Sequence, residues 1–325
     1  MPIEIRRLAH GLGAEVLGAD LSRLDAATLE AILAAWMEHL VLVFPRQRLT
    51  NLGFAAFTER FGALEVLGSY QGLDEYVDPA CRGLMTVTNR EIAHEPSRTR
   101  AVGRKWHADR SFVPQAPIGT FLYCRELPDV GGDTMFANQY LAYETLSEGL
   151  RAALDPLWAV HDVLGRADSL VKALSPEQLA LKRRMDPPTA QPVVRVHEVT
   201  GRRALYVSEA VTTRFVDMTE DESRPLLRFL FEHSVQPQFT YRHHWHVDDV
   251  VMWDNRCAMH LALADFDPRQ IRTMLRTSVV GPVTGHFVDA AAGAAREGAA
   301  ELVDGLSPAG PAARLRSSIT RGNTR

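Results

Sequence analysis

Short apolar runs, each bounded by polar or turn-forming residues, recur along most of this 325-residue chain and constrain its fold more than any other feature. "LVLVFP" closes on Pro45, and "GLMTVTN", "GTFLYCREL", "DTMFAN", "FTYRHHWHV", "DVVMWDN" and "RTMLRTSVVG" follow it. Runs of this length between Gly, Pro, Asn and Asp read as strands. "QPVVRVH" and "RALYVS" form a strand pair with "EVTGR" as the turn. Helical spacing appears before and between these runs. Leu29, Ile32, Leu33, Trp36 and Met37 fall on one face, as do Phe54, Phe57 and Phe61 ahead of a stop at Gly62. Helices are expected near 139–154 and 176–185. Thr219 and Glu222 have capping-box spacing, which opens a helix with Leu226, Leu227, Leu230 and Phe231 inward and Pro225 bending its first turns. This order implies an α+β chain with a mostly β, barrel-like core and flanking helices.

Composition narrows the function. Apolar residues are 46% and charged residues 23%, as in an ordinary soluble protein. The net charge is −4 and the Lys/Arg residues are scattered, so the basic stripe of a nucleic-acid binder is missing. No run approaches a membrane span, and "MPIEIRRLAH" lacks a secretory apolar core, so a cytoplasmic protein with no membrane partner is expected. Cys81, Cys124 and Cys257 are few, odd in number and far apart, which argues for reduced thiols. Residues 62–105 read as long loops around one strand, of the kind that often cover a site. From 283 onward the composition turns to Ala, Gly, Ser and Arg, the signature of a flexible or loosely docked tail.

Within "GRKWHADRSF", His107 and Asp109 are two apart. On a strand they would share a face and could offer an imidazole and a carboxylate to one ion. Two histidines and one carboxylate leave adjacent coordination positions open, the set used by non-haem Fe(II) oxygenases. His260, after a polar turn in "MWDNRCAMH", is the best third candidate, 260 − 107 = 153 residues away. A rival lies in "RHHWHVDD", where His244 and His246 share the same spacing and Asp248 and Asp249 could complete a zinc site for a hydrolase.

"WHADRSF", "LPDVGGDTMFAN", "WDNRCAMH" and "RTMLRTSVVG" occur in the order, and nearly at the separations, of the Fe(II)/2-oxoglutarate dioxygenases related to taurine dioxygenase and 2,4-dichlorophenoxyacetate dioxygenase. The resemblance runs from "GAEVLGADL" to about Pro282. It implies a double-stranded β-helix, a cupin-like jelly roll, forming one domain over 1–282. It makes His107, Asp109 and His260 the iron ligands and leaves "RHHWH" without a family role. O2 and 2-oxoglutarate are then the cosubstrates, and a C–H of the substrate is hydroxylated with release of succinate and CO2. Relatives are often homodimers or tetramers.

The distal carboxylate of 2-oxoglutarate needs a partner, and arginine's planar fork suits it. "RQIRTMLR" offers Arg269, Arg272 and Arg276. By resemblance, Arg272, 272 − 260 = 12 residues past the histidine, holds that carboxylate with the Thr134 hydroxyl, and Arg276 contacts an anionic substrate group. Gly131 and Gly132 would allow the turn before Thr134, and Asp254 and Asn255 the turn that aims His260. Trp106 and Trp253 read as packing residues. Taurine-specific members carry a histidine near "VLGSYQG" and an asparagine four residues before the first ligand. Here Tyr70 and Gln71 stand in that loop, as candidate substrate contacts, and Gly103 takes the asparagine's place. The expected substrate is therefore another small acid: a sulfonate, alkyl sulfate or carboxylate. A jelly-roll anion-binding protein without catalysis is the competing class.

Overall fold

The computed structural model describes residues 3–66, 74–91, 97, 103–165 and 175–289. The chain enters through a hairpin, β1 (Glu4–Arg7) and β2 (Ala14–Leu17), then α1 (Ala26–His39), β3 (Val41–Phe44) and α2 (Asn51–Glu59). Asp25 and Thr50 start the two helices by accepting the N–H groups of Thr28 and Gly53 at 2.7 and 3.0 Å. Strands β4 (Val77–Asp78), β5 (Cys81–Thr88), β6 (Gly119–Glu126) and β7 (Thr134–Asn138) follow. Helices α3 (Gln139–Glu144) and α4 (Glu148–Leu154) replace the single helical stretch expected there. Their division has a local cause, because the Ser147 hydroxyl accepts the Leu150 N–H at 3.3 Å and starts a new cap.

Strand β8 (Trp158–His161), helix α5 (Pro176–Met185), and strands β9 (Thr189–Pro192), β10 (Val194–Val196), β11 (Arg203–Leu205) and β12 (Thr212–Phe215) come next. Helix α6 (Glu220–His233) opens on the Thr219–Glu222 capping box and continues unbroken through Pro225. The chain then forms β13 (Thr240–His243), β14 (Val250–Asp254), β15 (Ala258–Ala262), β16 (Thr273–Val279) and β17 (His286–Phe287). β17 pairs with β9, so residues 286–287 belong to the sheet rather than to the loose tail expected from 283. Residues 290–325, the rest of that tail, lie outside the described residues.

An eight-stranded sheet runs β1-β2-β3-β14-β6-β16-β5-β4, and a three-stranded sheet runs β13-β7-β15. Alternation along the central strands explains why their sequences are apolar throughout. Leu42 and Phe44 of β3, Val250 and Met252 of β14, and Phe121 of β6 point into one core under α1 and α2 with Trp36, Phe57 and Phe61. Val41, Val43, Val251, Trp253 and Met274 point the other way, onto Phe136 of β7 in the smaller sheet. Both faces of the large sheet's central strands β3 and β14 are thereby shut from water, and the two facing sheets hold the site between them.

The short strands β1, β4, β8, β9, β12 and β17 are two to four residues long and too brief to announce themselves by periodicity. "FTYRHHWHV" is strand only to His243, and His244–Val247 leave the sheet. All three cysteines are free thiols, with Cys124 and Cys257 buried, as expected.

Candidate metal centre

His107 and His260 meet as an antiparallel bridge: the His107 N–H donates to the His260 carbonyl at 3.1 Å, and the His260 N–H to the His107 carbonyl at 2.8 Å. This reciprocal pair puts both imidazoles on one side, with ring centres 4.1 Å apart. Asp109 stands 3.7 Å from His107 Nε2 through Oδ1 and 3.9 Å from His260 Nε2 through Oδ2. One ligand atom from each of the three lies within 4.8 Å of the others.

The strand premise for His107 and Asp109 needs correction. Only His107 pairs with a neighbour, while Asp109 sits in the turn that follows and is aimed by side chains instead. Thr120 Oγ1 donates to Asp109 Oδ2 at 2.6 Å, and Asn255 Oδ1 accepts the Asp109 N–H at 3.3 Å. His107 Nδ1 faces the Lys105 carbonyl at 2.8 Å, which turns Nε2 towards Asp109. Trp253 packs against His260 with ring centres 4.6 Å apart, the packing part expected of it, whereas Trp106 is only half-buried.

Burial and the neighbouring His107 push the His260 imidazole down to about 3, so it is neutral and keeps a lone pair for a ligand at physiological pH. For Asp109, burial would raise the carboxyl, but its neighbours, the Arg276 guanidinium foremost and with it the Thr120 hydroxyl, outweigh burial and hold the group ionised.

His107, Asp109 and His260 open into a cavity of about 780 Å³, mouth included, that Thr134, Arg272 and Arg276 also line. Gly131 and Gly132 take left-handed backbone, with φ of +82° and +74°, as the turn before Thr134 requires. A side chain at 132 would start 3.1 Å from Arg272 Cδ, so glycine there lets the guanidinium lie across the turn. Arg272 Nε donates to the Gly132 carbonyl at 2.8 Å, while its Nη2 is shut off from solvent with no hydrogen-bond partner among the described residues. Burial pushes Arg272 down to about 10, still a cation at neutral pH. Thr134 Oγ1 accepts the Trp245 indole N–H at 3.0 Å, which leaves the hydroxyl proton free to donate. Arg276 Nη2 lies 3.3 Å from Asp109 Oδ1. Arg269 stays outside, chelating Asp267. Tyr70 and Gln71 lie outside the described residues.

The "RHHWHVDD" rival does not converge. His244 and His246 are 72% and 81% exposed and turn to different acids, Asp133 and Asp249, at 2.8 and 3.4 Å. Among the described residues the one other group with metal-ligating reach is His197, Asp254 and Cys257, all buried. There Arg256 Nε and Nη2 grip both Asp254 oxygens at 2.8 and 2.5 Å, and His197 Nε2 sits 3.0 Å from Oδ2. Asp254 Oδ1 also accepts the Arg256 N–H at 2.9 Å, the Asx turn expected ahead of His260. Thr120, Ser278 and the Arg276–Asp109 contact escaped sequence reasoning, since a threonine or serine inside an apolar strand carries no periodic signal.

The family model for "Taurine catabolism dioxygenase TauD, TfdA family" matches residues 4–278. An (S)-phenoxypropionate/alpha-ketoglutarate-dioxygenase of Sphingobium herbicidovorans is 32% identical, covering 86% of this chain and 95% of that protein. An alpha-ketoglutarate-dependent sulfate ester dioxygenase of Pseudomonas putida is 32% identical over 87% of this chain and 91% of its own length. Among solved structures, AAD-2 in complex with Mn(II) and N-oxalylglycine superposes with a TM-score of 0.73 at 32% identity, over 87% of this chain and 98% of that one. A taurine dioxygenase from Burkholderia xenovorans gives 0.72 at 32%, over 90% and 98%.

The chain belongs to the TauD/TfdA family. Its fold is the family's jelly roll with flanking helices, and it is an oxidoreductase, a 2-oxoglutarate-dependent dioxygenase whose family uses Fe(II), 2-oxoglutarate and O2. That sets aside the non-catalytic binder and the zinc hydrolase. No helix among the described residues is long and apolar enough to cross a membrane.

Proposed function

We propose that His107, Asp109 and His260 hold the Fe(II), that Arg272 and Thr134 receive the C5 carboxylate of 2-oxoglutarate, and that Arg276 meets an anionic group of the substrate. The donor set fits: two imidazoles and one carboxylate suit Fe(II) and leave adjacent positions open. The carrying observation is Arg272 Nη2, a buried guanidinium nitrogen without a partner in the same cavity as the three candidate ligands. An unpaired buried donor of this kind is costly, and a carboxylate satisfies it with a charge-assisted bond. Iron, when bound, supplies the oxygen chemistry that hydroxylates a C–H as 2-oxoglutarate becomes succinate and CO2.

The chain's own residues supply position and charge. Arg272 and Thr134 anchor one end of the cosubstrate, and the His107–His260 bridge fixes the other end's neighbours. Val87, Leu122, Leu263, Ala264 and Phe266 give the cavity an apolar side. With Arg276 they favour a small organic acid bearing an apolar body, a sulfonate, sulfate ester or carboxylate, in keeping with the phenoxypropionate and sulfate ester named for the relatives. Tyr70 and Gln71 are proposed substrate contacts on sequence alone. One domain over 1–282, a cytoplasmic location and a homo-oligomer, dimer or tetramer, belong to the same proposal.

Anaerobic titration with Fe(II) and then 2-oxoglutarate tests the centre, because the chelate gives a weak visible charge-transfer band. The band should appear in the native chain and vanish in His107→Ala. Its persistence in that variant would remove His107 from the ligand set. Succinate release over a panel of sulfonates, sulfate esters and aryloxy acids then identifies the substrate class.

A further inference from the structure

Asp109 reaches the centre from a turn, so its aim depends on the side chains that hold it. A hydrogen-bond chain of fixed polarity ends on its carboxylate. Trp253 Nε1 is a donor only and gives its proton to Asn255 Oδ1 at 3.0 Å. This settles which end of the Asn255 amide is oxygen. Nδ2 therefore faces Thr120 Oγ1, at 2.9 Å, and donates to it. Thr120 has one hydroxyl proton, and it goes to Asp109 Oδ2 at 2.6 Å, since an ionised carboxylate only accepts. Ser278 Oγ, 3.3 Å from Thr120 Oγ1, fills that oxygen's second acceptor site. Asn255 Oδ1 also takes the Asp109 backbone N–H, so one amide orders both the main chain and the side chain of the acid. Trp253, Asn255, Thr120 and Ser278 are at most 2% exposed, and no solvent competes for these bonds.

We propose that the Trp253–Asn255–Thr120 chain selects the ligating oxygen of Asp109: it takes up Oδ2 with a 2.6 Å hydrogen bond and leaves Oδ1, 3.7 Å from His107 Nε2 and in a looser 3.3 Å ion pair with Arg276 Nη2, as the oxygen offered to the metal. Thr120 and Asn255 are positioning residues that act through Asp109. The consequence is a count of coordination sites. A carboxylate held in this way would give a bound ion one oxygen rather than two. The inference rests on the metal assignment proposed above.

Mn(II) titration of the metal-free full-length chain, read from the electron paramagnetic resonance signal of free Mn(II), tests it without catalysis. Thr120→Val removes the proton donor at nearly constant volume and should weaken Mn(II) binding by about 10- to 100-fold. Thr120→Ser keeps the hydroxyl and should restore native affinity. Asn255→Ser cuts the chain one step earlier and should lose about tenfold or more, and it serves if Thr120→Val does not fold. Native Mn(II) affinity in folded Thr120→Val or Asn255→Ser overturns the proposal, as does an equal loss in the Ser and Val variants at 120. Asp109→Ala separates the two levels. If it binds Mn(II) like the native chain, the metal assignment falls; if it loses Mn(II) while Thr120→Val does not, the assignment stands and the orienting chain falls.

Discussion

Two buried clusters in this molecule look alike on paper: His107, Asp109 and His260, and His197, Asp254 and Cys257 each bring three metal-capable side chains together. They differ in what already satisfies the acid. Arg256 holds both oxygens of Asp254 in a close fork, with His197 on one of them, and Glu198 lies 3.4 Å from Arg256 Nη1. Arg256 and His197 together outweigh burial and keep Asp254 ionised, while burial drives the Cys257 thiol well above its usual range. An acid so paired and a thiol so reluctant to ionise form a closed structural network rather than a ligand set. Asp109, by contrast, has no guanidinium fork across its two oxygens: Thr120 donates to Oδ2 at 2.6 Å, Arg276 Nη2 lies 3.3 Å from Oδ1, and the group faces a cavity. Proximity alone does not mark a metal centre; unsatisfied bonding capacity beside a cavity does.

The sharpest way to break this contrast is to exchange the outcomes. Asp109→Ala should abolish the Fe(II)/2-oxoglutarate charge-transfer band, while Cys257→Ser should leave it intact. A lost band in the Cys257 variant with the fold retained would place the second cluster in the metal's service. Arg256→Met leaves Asp254 buried and uncompensated and should cost about 3–5 kcal/mol in denaturant unfolding. A value near zero would show the network to be dispensable.

Arg272→Met sharpens the other side, since it removes the donor aimed into the cavity. The dissociation constant for 2-oxoglutarate should rise about 10- to 100-fold, the worth of a hydrogen bond to a charged group, with Fe(II) binding unchanged. Calorimetric titration reads both constants.

Acid stability compares the regions by another route. His161, His243 and His260 are buried and held neutral, burial pushing them down to about 4, 3 and 3. Unfolding lets each take up a proton near its ordinary value, so the unfolded chain binds more protons below about pH 6.5. Stability of the metal-free protein should therefore fall as pH drops from about 6.5 towards 4. Asp109 and Asp254, held low when folded, extend the loss below about pH 4. A flat unfolding free energy from pH 7 to 5 contradicts the histidine part. The smallest effect belongs to His244→Ala: its imidazole is exposed, so the charge-transfer band and the stability should stay within about 0.5 kcal/mol of the native chain.

What the sequence determined by itself was local or chemical. Helix α1 with its one apolar face, the capping box at Thr219, the apolar run of β3 and the Gly131–Gly132 turn each rest on neighbours a few residues apart, and each formed as the spacing predicts. The four ordered motifs also carried the family and the candidate ligands, because residue types and their order survive without coordinates. Tertiary structure decided the rest. That His260 lies beside His107 turns on which segments pair across 153 residues (260 − 107), and the reciprocal backbone bridge at 107 and 260 brings the two together. That Asp109 lies in a turn and is aimed by Thr120 and Asn255 depends on contacts between remote strands, and no periodicity along the chain encodes a hydrogen bond between them. Burial, which keeps His260 neutral and leaves Arg272 Nη2 without a partner, exists only once the two sheets close over the site.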